Sequence, residues 1–304
     1  MVAEAPGAAG TRTVQASGKP RRVALCVDDF GLSAGVDHAV LQLAAQRRLN
    51  AVSCMVGAPA WRADCAALRS LDAAQVDVGL HLDLTQFPLF EGSRHSLRGW
   101  LLRAGARSIA RAPLRAEIAA QLDAFEQSLG RAPEHVDGHQ HVHQLPVVRE
   151  LLLDALTRRY PGRRPWLRST LPPRGVLALA QFTRGAAFKP WFLSALGGRR
   201  LRRLAAAAGF VQNRHLLGVY GFDQESAGYR ALLSAWLRLA GDGDLLMCHV
   251  GARAGAADDD VIRAARAAEF EVLGAAGFDA LLADEGITLA PISRSLAGTA
   301  RVPA

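Results

Sequence analysis

The segment Val136–Pro146, "VDGHQHVHQLP", sets Asp137, His139, His141 and His143 at every second position. Carboxylates and imidazoles at this density are what a divalent cation takes as ligands. In an extended strand alternate residues share a face, and six residues span about 20 Å. A metal holds an imidazole nitrogen at roughly 2.0–2.1 Å. One ion therefore takes at most one or two of these four side chains. The rest of a ligand set must come from elsewhere in the chain.

Three other segments offer candidates. "RRVALCVDDFG" (Arg21–Gly31) ends in Asp28 and Asp29, "VDVGLHLDL" (Val76–Leu84) carries His81, and "DLLMCHVG" (Asp244–Gly251) carries His249. Adjacent residues of a strand point to opposite sides. The Asp pair thus offers one carboxylate to a metal and another as a base. One Asp with two His leaves positions open for water and substrate, as a catalytic metal requires. Such an ion polarises a carbonyl and makes its bound water more acidic.

The elements that must position these groups alternate in type. "VALCV" is a short continuous apolar run, as in a strand buried on both faces of a parallel sheet. A helix is expected from about Ser33 to Arg48, with Ser33 as N-cap. Strands are expected over Ala51–Gly57, Val76–Leu84, Glu134–His141, Pro165–Ser169 and Asp244–Gly251. Helical periodicity marks Leu114–Gly130, with a glycine stop, and a helix opened by Pro146. Asp258–Gly277 reads as a helix with acids at its start. This pattern predicts an α/β fold with a mainly parallel sheet. Its polar residues gather at strand ends, where such folds collect ligand groups.

In order and spacing, "VDDFG", "GLHLDLT", "VDGHQHVHQLP" and "MCHVG" resemble the YdjC-like carbohydrate deacetylases. That family includes chito-oligosaccharide deacetylases and a hopanoid-biosynthesis branch. The resemblance runs from about Arg22 to Gly286 and takes in "QNRHLLGVYGF" (Gln212–Phe222) and "RAAEFEVL" (Arg266–Leu273). It implies a single-domain, incomplete TIM-like (β/α) barrel with the site at the C-terminal ends of the strands. It implies one divalent metal ion held by Asp29, His81 and His139, with Asp28 as general base and His249, a cation at the outset, as general acid. The implied substrate is an N-acetylated amino sugar, lipid-linked, hopanoid-linked or a chito-oligosaccharide. His141 and His143 are left to shape the substrate pocket or support the ligands, and Arg168 to contact the oxyanion or a sugar hydroxyl. Such Asp and His ligation admits Zn²⁺, Mn²⁺, Co²⁺ or Mg²⁺. One departure is Val250, where the family has Pro after the late His. Proline would fix the backbone there, and valine leaves it freer.

Blander roles are expected for other residues. Asp137 can accept a proton from a neighbouring His and orient it. Asp83 is expected at the surface or in support of the ligands, and His38, His95, His135 and His215 as surface or partly buried residues.

Composition narrows the class. The chain has 304 residues, half of them hydrophobic, enough for one large core. It divides into a tail (1–20), one domain (21–293) and a second tail (294–304). The first twenty residues lack the apolar region of a secretory signal, and no run of 18 apolar residues suggests a spanning helix. Cys26, Cys54, Cys65 and Cys248 form no CxxC pair and read as buried thiols of a reducing compartment, the cytoplasm. Acids are absent from Gly92–Ala116, which holds six arginines, and from Ala155–Phe222, which holds thirteen Lys or Arg. The net charge is +8, so the remainder is acidic. Two basic insertions, about 92–116 and 170–212, carry this surplus. In the first, Trp100, Leu101, Leu102 and Ile109 accompany Arg94, Arg98, Arg103, Arg107, Arg111 and Arg115. In the second, Phe188, Trp191 and Phe192 lie near Arg199, Arg200, Arg202 and Arg203. Apolar side chains beside clustered arginine suit the interface of an anionic membrane, here the inner face. A metal-dependent amidase or phosphoesterase, and a basic adaptor for membrane or nucleic acid, are the competing functions. No nucleic-acid motif is present, and aromatics for base stacking are few. A homodimer stays open.

Overall fold

The computed structural model describes residues 19–176 and 197–295. Eight strands form one parallel sheet: β1 (Arg21–Phe30), β2 (Ala51–Cys54), β3 (Asp77–Leu82), β4 (His135–Gly138), β5 (Trp166–Leu167), β6 (Leu216–Leu217), β7 (Asp244–Cys248) and β8 (Ile287–Leu289). The order is β5-β4-β3-β2-β1-β7-β6, and β8 pairs with the start of β1. The helices are α1 (Ala34–Ala45), α2 (Trp61–Asp64), α3 (Leu97–Gly105), α4 (Arg111–Leu129), α5 (Val148–Arg159), α6 (Arg199–Ala207), α7 (Ser226–Leu239), α8 (Arg263–Gly274), α9 (Gly277–Asp284) and α10 (Ile292–Ser295). This is the expected α/β architecture, a sheet curled into an incomplete barrel.

The central strand has a continuous apolar middle. Val23–Val27 is buried throughout and pairs residue for residue with Asp244–Cys248 of β7. The outer strands β5 and β6 are only two residues long. Between them the ladder gives way to single links. The Leu167 amide donates to the Val211 carbonyl (2.9 Å), and the Leu216 amide to the Leu171 carbonyl (2.8 Å). Asn213 bridges the gap by accepting from the Ser169 amide and donating to its carbonyl (2.7 and 3.0 Å).

Several local expectations hold. Ser33 caps α1 by accepting from the Val36 amide, and Gly130 ends α4 in the left-handed conformation at φ 70. Others are corrected. The fourth strand ends at Gly138, and His139–Gln144 forms a 3-10 turn with positive φ at Gln140 and His141. Strand alternation therefore does not set the directions of His139, His141 and His143. Pro146 precedes α5 by two residues, because Val147 takes the cap at φ 70. The last expected helix is shorter, Arg263–Gly274, and Asp258, Asp259 and Asp260 lie before it.

The first basic segment spans α3 and the start of α4. Residues 106–110 separate α3 from α4. Trp100 is buried with its indole donating to the Leu84 carbonyl (2.8 Å), and Ile109 is buried too. The core thus claims two of the four apolar residues expected at a membrane, and Leu102 stays 65% exposed. In the second segment Phe188, Trp191 and Phe192 lie outside the described residues, as do most of both tails. Among the described residues no helix is long and apolar enough to cross a membrane. All four cysteines are buried free thiols.

The turn after β1 is tied to α1 by Asp37, which is buried and accepts from the Gly31 amide (2.6 Å). Burial pushes its carboxyl up to about 8, and nearby Asp64 adds to the rise. A carboxyl raised by folding contributes stability while protonated and loses it as pH rises from the ordinary 3.8 toward that value. Asp37→Asn, neutral throughout, is expected to show a smaller fall in melting temperature over this window than the parent. Parallel curves would contradict this.

Candidate active site

Asp28 and Asp29 end β1, and both line one pocket of about 470 Å³. A regular strand would point them apart. Here the register with β2 shifts between Val27 and Phe30, and Asp29 takes φ 69. The left-handed region is uncommon outside glycine, but Asp tolerates it better than most. This kink turns the second carboxylate onto the side of the first.

Asp29 gathers two imidazoles. Its Oδ1 lies 3.3 Å from His81 Nε2 and 2.9 Å from His139 Nδ1. Two nitrogen or oxygen ligands of one ion, each at roughly 2.0–2.1 Å, lie about 3 Å apart. Asp29, His81 and His139 therefore fit a divalent cation.

Two of the three members are held from behind. His81 and Asp137 are register partners on β3 and β4, and His81 Nδ1 lies 2.6 Å from Asp137 Oδ1. An ionised carboxylate only accepts, so Nδ1 carries the hydrogen and Nε2 faces Asp29. Burial alone would lower His81, but Asp137 and Asp28 outweigh it and raise it to about 10. The other Asp29 oxygen receives Arg266 of α8 at 2.7 Å. Burial would raise the Asp29 carboxyl, but Arg266 and His139 hold it well below the usual range.

Arg168, just past β5, has no exposed surface. It binds Asp28 through both nitrogens at 2.6 Å and Asp137 Oδ2 at 2.6 Å. This corrects the expected contact with substrate: the guanidinium lies behind the carboxylates and does not line the pocket. Burial would raise Asp28, but Arg168 holds it below its ordinary value. Cys26, His135 and Asp137, and likewise Asp28, His81 and Asp137, also bring ligand atoms within 4.8 Å of one another. Both groups already hold a cation, since Arg168 reaches Cys26 Sγ (3.0 Å), Asp28 and Asp137.

His249 follows β7, with Nε2 3.9 Å from Asp28 Oδ2. Burial pushes the ring down to about 4, against the pull of Asp29 and Asp28. The resting ring is thus neutral at pH 7, not the cation expected from sequence. His141 lines the pocket. His143 does not: it is buried, with Nε2 3.1 Å from the Arg168 carbonyl. His135 is fully buried rather than near the surface, stacked on Trp166 with Nε2 2.9 Å from Ser53 Oγ. Asp83 is buried and organises a loop, accepting from the amides of Thr85 (2.7 Å) and Phe87 (2.6 Å), so that Gln86 and Phe87 reach the pocket.

Sequence reasoning missed Arg266 and Glu269. Both are buried on α8, and Glu269 accepts from the Tyr220 hydroxyl and the His249 amide, each at 2.7 Å. Their signal was charge three residues apart, hence on one helix face, among small residues of "RAAEFEVL".

If Asp137 orients His81 for a metal, Asp137→Asn is expected to weaken Zn²⁺ binding roughly 10–100-fold in calorimetric titration. An unchanged affinity would contradict the assignment.

Known proteins resemble this chain in sequence and in fold. A mouse (Mus musculus) carbohydrate deacetylase is 30% identical over 148 residues, 44% of this chain and 47% of that one. A Geobacillus stearothermophilus carbohydrate deacetylase is 34% identical over 149 residues, 46% of this chain and 58% of that one. A Yersinia pestis chitooligosaccharide deacetylase is 29% identical over 132 residues, 41% of this chain and 51% of that one. The chain spans about half the length of the curated relatives it matches. The fold is similar to that of an Enterococcus faecalis V583 protein provisionally assigned to cellobiose-phosphate cleavage. There the TM-score is 0.63 at 19% identity, over 90% of this chain and 98% of that one. Residues 22–284 match the YdjC-like protein family, and the chain belongs to it.

Proposed function

We propose that the protein is a metal-dependent hydrolase that removes the acetyl group from an N-acetyl amino sugar, releasing acetate and a free amine. The observation that carries this reading is the arrangement of one pocket. Asp29, His81 and His139 cluster as ligands, with an anionic Asp28 and the His249 imidazole beside them. The relatives named as carbohydrate deacetylases support the choice of bond. A non-catalytic adaptor would need no such set.

A divalent ion held by Asp29, His81 and His139 supplies Lewis acidity toward the acetyl carbonyl and a water. The chain's own residues manage the proton. Arg168 keeps Asp28 ionised and aimed, so it can accept the proton that the attacking water loses. His249 Nε2 lies 3.9 Å from Asp28 Oδ2, so a shift of about 1 Å or one water between them lets it take that proton and give it to the amine nitrogen as the C–N bond breaks. Water loses one proton and the amine gains one, so the resting neutral ring needs no proton of its own.

The wall beside this set includes Leu32, Leu97, Val219, Phe222, Met247 and Ile262. At the rim Val261 is 94% exposed. Apolar lining of this extent favours a sugar that carries an apolar group, a lipid-linked glycan, over a soluble chito-oligosaccharide.

The test is acetate release from matched soluble and lipid-linked N-acetyl sugars, with and without added divalent metal. Metal-dependent release is expected, faster on the lipid-linked member, and lower by on the order of 10²–10⁴ in Asp28→Asn. Release that ignores metal or survives Asp28→Asn would sink the mechanism. Equal rates on both sugars would sink the substrate preference alone.

A further inference from the structure

Of the groups assigned to the chemistry, His249 is the least restrained through its side chain. Asp28 is clamped by Arg168, Asp29 by Arg266, and His81 by Asp137. The His249 Nδ1 is buried with no partner. Its placement must come through its backbone and its neighbours, and both lead to Glu269. The Glu269 Oε2 accepts the His249 backbone N–H at 2.7 Å, and Oε1 accepts the Tyr220 hydroxyl at 2.7 Å. Tyr220 packs on Phe222 with ring centroids 4.8 Å apart. Phe222 in turn meets the His249 ring edge-on, at 5.0 Å and 89°. Phe222 has φ 60, a conformation a bulky residue keeps only when its surroundings hold it.

One carboxylate therefore ties down the main chain under the imidazole and the aromatic wall beside it. Glu269 itself does not line the pocket, whereas Tyr220, Phe222 and His249 do. A carboxyl with no exposed surface is costly to keep, and an apolar residue would pack α8 against the barrel more cheaply. Val250, where a proline would restrict the backbone, adds packing but no such restriction. We infer that Glu269 is a positioning residue, setting the His249 ring at the Asp28 carboxylate through these two hydrogen bonds. The inference rests on the acid role given to His249 above.

Burial pushes the Glu269 carboxyl up to about 8. Either protonation state can serve the geometry, since a neutral carboxyl still accepts from the amide and can donate to the Tyr220 oxygen. An amide can do the same, so Glu269→Gln should rescue what Glu269→Leu removes.

The experiment compares Glu269→Leu, Glu269→Gln, Tyr220→Phe and His249→Gln by two readouts. The first is the kinetics of acetate release. The second is the ¹⁵N resonances of the His249 ring, assigned by their loss in His249→Gln. In Glu269→Leu, kcat is expected to fall on the order of 10–100-fold with KM within about twofold, as for a displaced catalytic group. The His249 resonances should shift or broaden in the same variant. Glu269→Gln should recover kcat to within about threefold of the parent and restore the resonances. A folded Glu269→Leu with parental kcat and His249 signal would overturn the inference, as would Glu269→Gln as damaged as Glu269→Leu. Should Glu269→Leu not fold, parental behaviour of Tyr220→Phe in both readouts would overturn it. If the parent releases no acetate, the functional reading fails on its own, and the ring resonances still decide the positioning role.

Discussion

The Arg168 guanidinium is shared by two carboxylates that look in different directions. Asp28 faces the pocket, where the proposed reaction uses it as a base, and Asp137 turns away toward His81. Neither carboxylate has meaningful access to water. Burying an ion without a partner is far costlier than burying a pair, and removing one partner of a buried pair costs about 3–5 kcal/mol. Arg168 therefore fixes Asp28, the proposed base, and, through Asp137, His81, a proposed metal ligand. Its own main chain is held near His143, whose Nε2 lies 3.1 Å from the Arg168 carbonyl.

A second guanidinium completes the arrangement. Arg266 comes from α8 and holds the outer oxygen of Asp29, while its other side binds Asp260 at 2.7 Å. Asp28, Asp29, Asp137 and Asp260 together carry four negative charges. Arg168, Arg266 and a protonated His81 carry three positive ones. The set is thus net negative, which favours a cation in the pocket.

The strand framework was legible because several buried strands are short apolar runs that end in a charged or imidazole side chain. Val23–Val27 before Asp28, and Leu245–Cys248 before His249, are the clearest cases. The ligand trio came from resemblance of four short motifs, and the structure brings those three side chains together. Local backbone was less legible. Asp29, Gln140 and His141 adopt positive φ for reasons set by neighbouring strands and turns, which residue type alone does not encode. The purpose of Arg168 was misread for a related reason. An arginine at a strand end looks like a ligand-binding group until its two buried carboxylates are seen behind it. Trp100 was misread likewise, since only the Leu84 carbonyl shows that its indole belongs to the core.

The most direct test of this account is Arg168→Lys, which keeps the charge but cannot fork onto Asp28 while reaching Asp137. Metal affinity and acetate release would be measured on the same folded preparation. The account predicts that both fall together, because one guanidinium serves both the base and the ligand. Parental values of both would contradict it, showing that Asp28 and Asp137 are held independently of Arg168.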